Sequence, residues 1–243
     1  MRPLVACLLL FLFMKQKINP PKTGLVLEIG SGDNPNPRSD ILVDRYINDN
    51  TERGGNIVID RPLIVADAHH LPFRDGVFSY VIGSHILEHM DDPEQFAREL
   101  VRVGKAGYLG SPSEIAERMF HWSFHRWYVN LIDDTLVLHP KEQGEPFGEL
   151  FDYMYEYNPL YYLFQRSMPS LFWVEKEWKG EIKIKVTDKS PLQLKDPQTL
   201  KRMVQPEVSL PTMFGMFVSA LLSRFFRAET RAKIRKFFKR SYV

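Results

Sequence analysis

The chain has 243 residues, 44% of them hydrophobic and 26% charged, with a formal net charge of +2. That composition describes an ordinary globular protein, one domain with or without an appendage, and excludes nothing by overall charge. The single cysteine, Cys7, excludes an internal disulfide and suits a reducing compartment.

Leu4 to Met14 is nearly all apolar and follows a lone Arg2. A spanning helix takes about 20 apolar residues, so the run is too short to cross a bilayer. Lys15, Gln16 and Lys17 follow where a small-residue cleavage site would stand. A shallow membrane anchor, an atypical signal and an ordinary core or dimer element all remain open.

Asn19-Pro20-Pro21 breaks the chain before the first strand, Leu25 to Ile29. Further strands are expected at Ile41 to Val43, ending on Asp44, at Leu63 to Ala66, ending on Asp67, at Phe78 to Ile82 and at Ala106 to Leu109. Pro93 to Val103 predicts an amphipathic helix, because Phe96, Leu100 and Val103 share a face and Pro93 suits a first turn. Strands alternating with crossovers imply an α/β, Rossmann-like, doubly wound parallel sheet covered on both faces. Past residue 112, Glu114 to Phe124 is expected as a helix, and Trp127 to Leu138 as a hairpin turning at Asp133-Asp134. Phe147 to Gln165 is expected as aromatic helix interrupted near Pro159. Leu171 to Val186, with Ile182, Ile184 and Val186 alternating, predicts a second hairpin. A polar link runs from Lys189 to Pro211. Thr212 to Val243 then places Phe214, Phe217, Val218, Leu221 and Phe225 at helical spacing before RFFRAETRAKIRKFFKR, the pattern of a basic amphipathic helix that lies on a membrane surface.

The polar residues gather at the strand ends. Gly30-Ser31-Gly32 follows the first strand, where glycine lets a ligand approach the backbone. No third fingerprint glycine follows, and Asn34-Pro35-Asn36-Pro37 stands where a helix should open, which argues against NAD or FAD. The sequence also lacks a P-loop. Asp44 ends the second strand, where a carboxylate can accept both hydroxyls of a ribose. Asp67-Ala68 ends the third, where a carboxylate can take an adenine amino group and a neighbouring N–H can serve the ring. The set suits an adenosine lacking phosphates.

LEIGSGDNPNP, LVDRY, VADAHHLPFRDGVFSYVIGSHILEHMDDP and LVRVGKAGYLGSPS together resemble class I S-adenosylmethionine-dependent methyltransferases, and look closest to the type 11 group, over about residues 24 to 112. The resemblance implies a seven-stranded sheet, with the hairpin near 171 to 186 as its antiparallel sixth and seventh strands. It implies S-adenosyl-L-methionine as cofactor, held by Glu28, Gly30, Ser31, Gly32, Asp44, Asp67, Ala68 and Ser84, with Ser84-His85 facing the transferable methyl. Two departures stand out: the proline-rich first motif puts the first helix in doubt, and residues 113 to 170 align with nothing in the family.

His85, Glu88 and His89 also spell H-x-x-E-H, an inverted zinc-peptidase signature. A buried strand precedes it, Pro93 leaves barely two turns of helix, and a peptidase gives the strand-end acids no role. No metal is therefore expected. His69-His70 reads as a surface turn. His121 and His125 are candidates to face a substrate, and the aromatic block Phe151 to Tyr162 reads first as packing. For an oxygen nucleophile, His85 is the first candidate base and His121 the second.

The expected organisation is an apolar segment (1–18), a methyltransferase domain (19–188) with an insertion at about 113–170, and a linker with a basic helix (189–243). The expected function is methyl transfer to a lipid, lipid-linked or glycan acceptor by a cytoplasmic protein peripheral at an anionic membrane, with no nucleic acid. The alternative is a non-catalytic membrane-associated adaptor keeping the fold.

Overall fold

The computed structural model describes residues 18–53, 55–142 and 148–225. The apolar run at the start and the basic run after residue 225 lie outside the described residues. Nine strands are described: β1 (Val26–Ile29), β2 (Ile41–Asp44), β3 (Leu63–Val65), β4 (Tyr80–Ser84), β5 (Ala106–Pro112), β6 (Trp127–Ile132), β7 (Thr135–Pro140), β8 (Trp173–Lys179) and β9 (Ile184–Val186). The helices are α1 (Pro93–Val103), α2 (Glu114–Phe120), α3 (Gly148–Tyr157), α4 (Pro159–Ser167), the one-turn α5 (Pro169–Phe172), α6 (Pro197–Met203) and α7 (Leu210–Phe225).

The main sheet runs β3-β2-β1-β4-β5-β8, with five parallel strands and β8 antiparallel to β5. The parallel α/β architecture is as the sequence predicts. The main sheet has six strands among the described residues, one fewer than the resemblance implies. Only an isolated bridge, Lys179 to Glu181, follows β8, and β9 pairs parallel with β7 instead, making a second sheet of order β6-β7-β9. The expected hairpin over 171–186 therefore does not form. The other one does: β6 and β7 turn through Asp133 (φ 44°) and Asp134 (φ 64°), both in the left-handed region that short polar residues tolerate.

α1 forms because Asp92 accepts from the Gln95 N–H at 2.8 Å, Pro93 fits the first turn, and Phe96, Leu100 and Val103 share one fully buried face. That face packs in the main core with Leu27, Ile29, Val81, Leu109, Leu136 and Leu138. The opposite face of the sheet carries Val26, Tyr80, Ile82 and Tyr108, with Ile18 packed against them. The first helix of the family pattern is absent: the chain passes from β1 to β2 as a loop. Two groups pin that loop. Glu28 accepts from the Asn36 N–H (2.7 Å) and the Ser39 hydroxyl (2.6 Å), and Arg61 donates to the carbonyls of Asn36 and Ser39. Burial raises the Glu28 carboxyl, and these donors and Arg61 partly offset it.

α2 is shorter than expected: it ends at Phe120 because His121 turns left-handed (φ 50°). The aromatic block forms α3 and α4, broken at Asn158-Pro159 as predicted, with Asn158 capping α4. Among the described residues no helix is long and apolar enough to cross a membrane.

One clamp joins α1 to the segment leading into β4. Glu99 accepts from the Leu71 N–H (2.8 Å) and pairs with Arg102, which also donates to the carbonyls of Leu71 and Phe73. The Arg102 guanidinium holds the Glu99 carboxyl below its ordinary 4.5 despite the opposing effect of burial. A lowered folded-state pKa stabilises above the unfolded value and is lost as pH falls through the folded one. Glu99→Gln is thus expected to cost about 1.5–2 kcal/mol at neutral pH, the low end for a bond to a charged group, and to flatten the acid side of the stability profile. Urea melts of both proteins at neutral and acid pH check this.

Candidate cofactor site

All five parallel strands end at one edge, and the chain direction from β1 reverses between β2 and β4, which makes the β1/β4 boundary the topological switch. Gly30, Ser31 and Gly32 turn directly off β1. Gly30 has φ 67°, donates to the Val43 carbonyl at 2.8 Å, and leaves no room for a Cβ, which would lie 2.6 Å from Ile86 Cδ1. Gly32 (φ 51°) is the reverse case: a Cβ there would meet nothing within 4 Å. Ser31 is buried, and its hydroxyl has no hydrogen-bond partner.

Asp44 ends β2, 8% exposed, and takes the Tyr46 N–H at 3.0 Å and Arg53 Nη2 at 3.2 Å on Oδ1. Its Oδ2 has only a long contact, 3.4 Å, from the Gly32 N–H. One carboxylate oxygen is therefore tied to the protein and the other is almost free beside the glycine turn. Arg53 was not singled out from the sequence; its guanidinium lies against the ribose-binding acid of the family pattern.

Asp67 lies just past β3. Its Oδ1 takes the backbone N–H (2.9 Å) and ring Nδ1 (2.7 Å) of His69, and Arg45 stands 3.4 Å from Oδ2. The His69 N–H, its ring and Arg45 together lower the Asp67 carboxyl against the effect of burial. His69 is not a surface turn. It is 8% exposed, and its Nε2 accepts from the Asp92 N–H at 3.2 Å, which ties the end of β3 to the cap of α1. An aspartate accepting from the N–H two residues on is an Asx turn, a signal legible in Asp67-Ala68-His69. Ala68 is buried in the core beside it.

Ser84 ends β4, and His85 turns out of it with φ 54°, a conformation rare for a side-chain-bearing residue, held by its N–H on the Gly110 carbonyl at 2.8 Å. The imidazole is 45% exposed, meets the edge of Trp173 at 5.5 Å, and lies 3.4 Å from Glu88 Oε1. Glu88, on a single 3₁₀ turn (Leu87–His89), is 1% exposed. Burial pushes its carboxyl up, and the imidazoles of His85, His125 and His89 more than reverse this, holding it well below the usual carboxylate range.

The structure brings Gly30–Gly32, Asp44, Asp67 and Ser84-His85 to one edge, as expected. Glu28 lies beneath them and positions the loop. His121 is not drawn in: it caps α2, where burial and then Lys141 lower its pKa, and no described hydrogen bond or ring contact joins it to His85. His125, four residues on, reaches instead to Glu88, with Nε2 4.0 Å from Oε1. A cleft of about 410 Å³ opens elsewhere, between β6, β8 and the segment from Leu192 to Glu207. It touches none of the strand-end acids but is walled partly by Trp173, the neighbour of His85.

The family model described as a methyltransferase domain matches residues 44–109, from the end of β2 into β5. Over this stretch the chain is similar to methyltransferase domains. Two plant enzymes of Rauvolfia serpentina are similar to it: ajmaline N-methyltransferase, 46% identical over 43 residues (18% of this chain, 15% of that one), and norajmaline N-methyltransferase, 44% identical over 43 residues with the same shares. The chain thus matches only about a seventh of the length of these curated relatives. Among solved structures, PH0226 protein from Pyrococcus horikoshii OT3 is 22% identical, covering 61% of this chain and 78% of that one, with a TM-score of 0.34. The cofactor of a class I methyltransferase domain is S-adenosylmethionine. The residues fit it: the open space at Gly32, the unpartnered Ser31 hydroxyl and the underused Oδ2 of Asp44 form one polar cradle beside the sheet's switch point.

Proposed function

We propose that the chain transfers the methyl group of S-adenosylmethionine to a lipid, lipid-linked or glycan acceptor at a membrane surface. The observation that carries the reading is the strand-end set, with Asp44 and Asp67 at consecutive strand ends around an open glycine turn. Asp44 Oδ2 would accept from the ribose hydroxyls, Asp67 and Ala68 would border the adenine, and Gly30 to Gly32 would pass the amino-acid end without a Cβ in its way. Bound sulfonium supplies an electrophilic methyl. The protein's own work is to hold an acceptor in line with it, and well-aligned intramolecular reactions reach effective molarities of about 10⁵–10⁸ M.

In this reading His85 would take a proton from an oxygen acceptor; its half-exposed ring at the β4 end and its locked backbone support the assignment. General-base catalysis contributes about 10²–10⁴-fold. His85→Ala is therefore expected to lower kcat by about 100-fold or more while leaving S-adenosylmethionine affinity unchanged. Single-turnover transfer from labelled cofactor to extracted membrane lipids and glycans, with calorimetry beside it, checks both halves. An unchanged kcat would remove His85 from the mechanism.

The membrane part rests on exposed apolar side chains in one helical layer: Leu150, Tyr153 and Tyr157 on α3, Leu160 and Phe164 on α4, and Leu210 and Phe214 on α7. The basic run follows α7 directly in sequence, and each basic residue near an anionic surface adds about 1 kcal/mol. Removing residues 226–243 is expected to release the protein from phosphatidylserine vesicles in a flotation assay; undiminished binding would refute the tail's part. The adaptor reading draws on Arg53, which already holds Asp44. Cofactor binding separates the two.

A further inference from the structure

The methyl-transfer reading leaves three side chains beside His85 without a task. Glu88 is 1% exposed, and neither carboxylate oxygen has a hydrogen-bond partner. His85 Nδ1 lies 3.4 Å and His125 Nε2 4.0 Å from Oε1, and neither makes a hydrogen bond with it. A carboxylate buried in this way is costly unless something compensates it. Glu88, His89 and His125 each offer one donor atom, and these atoms all lie within 4.8 Å of one another.

The surroundings prepare His125 as a ligand. Its Nδ1 lies 2.5 Å from Glu117 Oε2, and the second oxygen of that buried carboxylate takes the Lys141 ammonium. An ionised carboxylate only accepts, so Nδ1–H donates and the lone pair sits on Nε2, the nitrogen facing Glu88. A carboxylate behind a histidine in this manner is the arrangement that orients metal-binding imidazoles. His89 is fixed as well: it stacks parallel on Phe124 at 5.7 Å, meets His125 edge-on at 4.7 Å, and has the Glu52 carboxylate 3.0 Å from Nδ1.

We propose that Glu88, His89 and His125 form a binding site for one divalent transition-metal ion. The structure gives a carboxylate and two imidazoles, a donor set that favours zinc, iron or cobalt over magnesium or calcium. Three protein ligands leave at least one position open. Donors about 2.1 Å from a tetrahedral ion lie about 3.4 Å apart, so the widest pair closes by about 1.4 Å from its 4.8 Å limit. This reverses the expectation of no metal, but not toward a peptidase: of the H-x-x-E-H letters His85 is not in the cluster, and the third ligand comes from 36 residues downstream of His89, between α2 and β6. An ion here shares Glu88 with the neighbourhood of His85. Its open position would take water or an acceptor hydroxyl and lower that group's pKa; this last role, unlike the binding, rests on the methyl-transfer reading.

The test uses the full chain, stripped with chelator and titrated with Co²⁺ while its ligand-field absorption is followed, then competed with Zn²⁺. One equivalent of Co²⁺, displaced by Zn²⁺, is expected. Glu88→Gln and His125→Ala should each weaken binding at least about 100-fold, Glu117→Gln about 10–100-fold, and His70→Ala, at an exposed site, not at all. Circular dichroism confirms folding, and His89→Ala serves if a more buried variant does not fold. A folded protein that takes up neither ion at millimolar concentration overturns the site, and leaves His125 as a packing residue tied to Glu117. Binding that survives both Glu88→Gln and His125→Ala overturns it too. Calorimetry with S-adenosylmethionine on the stripped sample keeps the readings apart: cofactor binding without metal binding refutes only the ion, and metal binding without cofactor binding refutes only methyl transfer.

Discussion

Asp44→Ala is expected to weaken S-adenosylmethionine binding by about 100-fold or more, with the fold retained. Each hydrogen bond to a charged group contributes about 1.5–3 kcal/mol, roughly 10- to 150-fold in affinity, and a ribose offers Asp44 two hydroxyls. The structure explains why the effect falls on binding. Oδ1 is engaged by Tyr46 and Arg53, whereas Oδ2 has only the 3.4 Å contact from Gly32 and is the oxygen left for a ligand. Asp67→Ala is the weaker test, because it also removes the Asx turn and the His69 link to α1 and confounds recognition with local collapse. Calorimetry of Asp44→Ala against the parent chain gives the number; an affinity within a few-fold of the parent would remove Asp44 from the site.

The largest stability effect is expected at Gly107, the second residue of β5. A Cβ there would lie 2.2 Å from the Val81 carbonyl oxygen and 2.6 Å from Trp178 Cζ2. The indole has β8 behind it, and the carbonyl belongs to the neighbouring strand, so neither can move without opening the sheet. Overpacking costs about 1–3 kcal/mol, and a clash with backbone belongs at the top of that range. Gly107→Ala is therefore expected to lose about 3 kcal/mol, which for a chain of this size lowers Tm by roughly 6–12 °C. A melt within 2 °C or so of the parent, inside the scatter of a neutral substitution, would contradict the packing described for β5. Gly32 shows the contrast. Its Cβ would meet no protein atom within 4 Å, so its requirement comes from its positive φ.

The parallel sheet and α1 were legible because their signals are local. Apolar runs closed by glycine or aspartate mark β1, β2 and β4, and Asp92-Pro93 with Phe96, Leu100 and Val103 marks α1. The strand-end acids were legible for the same reason, since a parallel sheet sends every strand end to one edge. What failed was partnership. Alternating Ile182, Ile184 and Val186 announces a strand but not its neighbour, and β9 chose β7 over β8. Likewise, nothing within a few residues of Glu88 announces His125 or Glu117, which a loop and a helix bring to it from beyond β5 in the chain. His121 and His125 share one aromatic stretch and read alike in the sequence; in the structure His121 takes the left-handed cap of α2 and His125 is the one that approaches Glu88.

S-adenosylmethionine is expected to bind at the strand-end cradle of Gly30–Gly32 and Asp44. Isothermal calorimetry of S-adenosylmethionine and S-adenosylhomocysteine with the full chain, repeated with Asp44→Ala, tests it most directly. Stoichiometric micromolar binding of both, lost in the variant, is the predicted result. No heat of binding from a folded parent chain would contradict it and leave the adaptor reading standing.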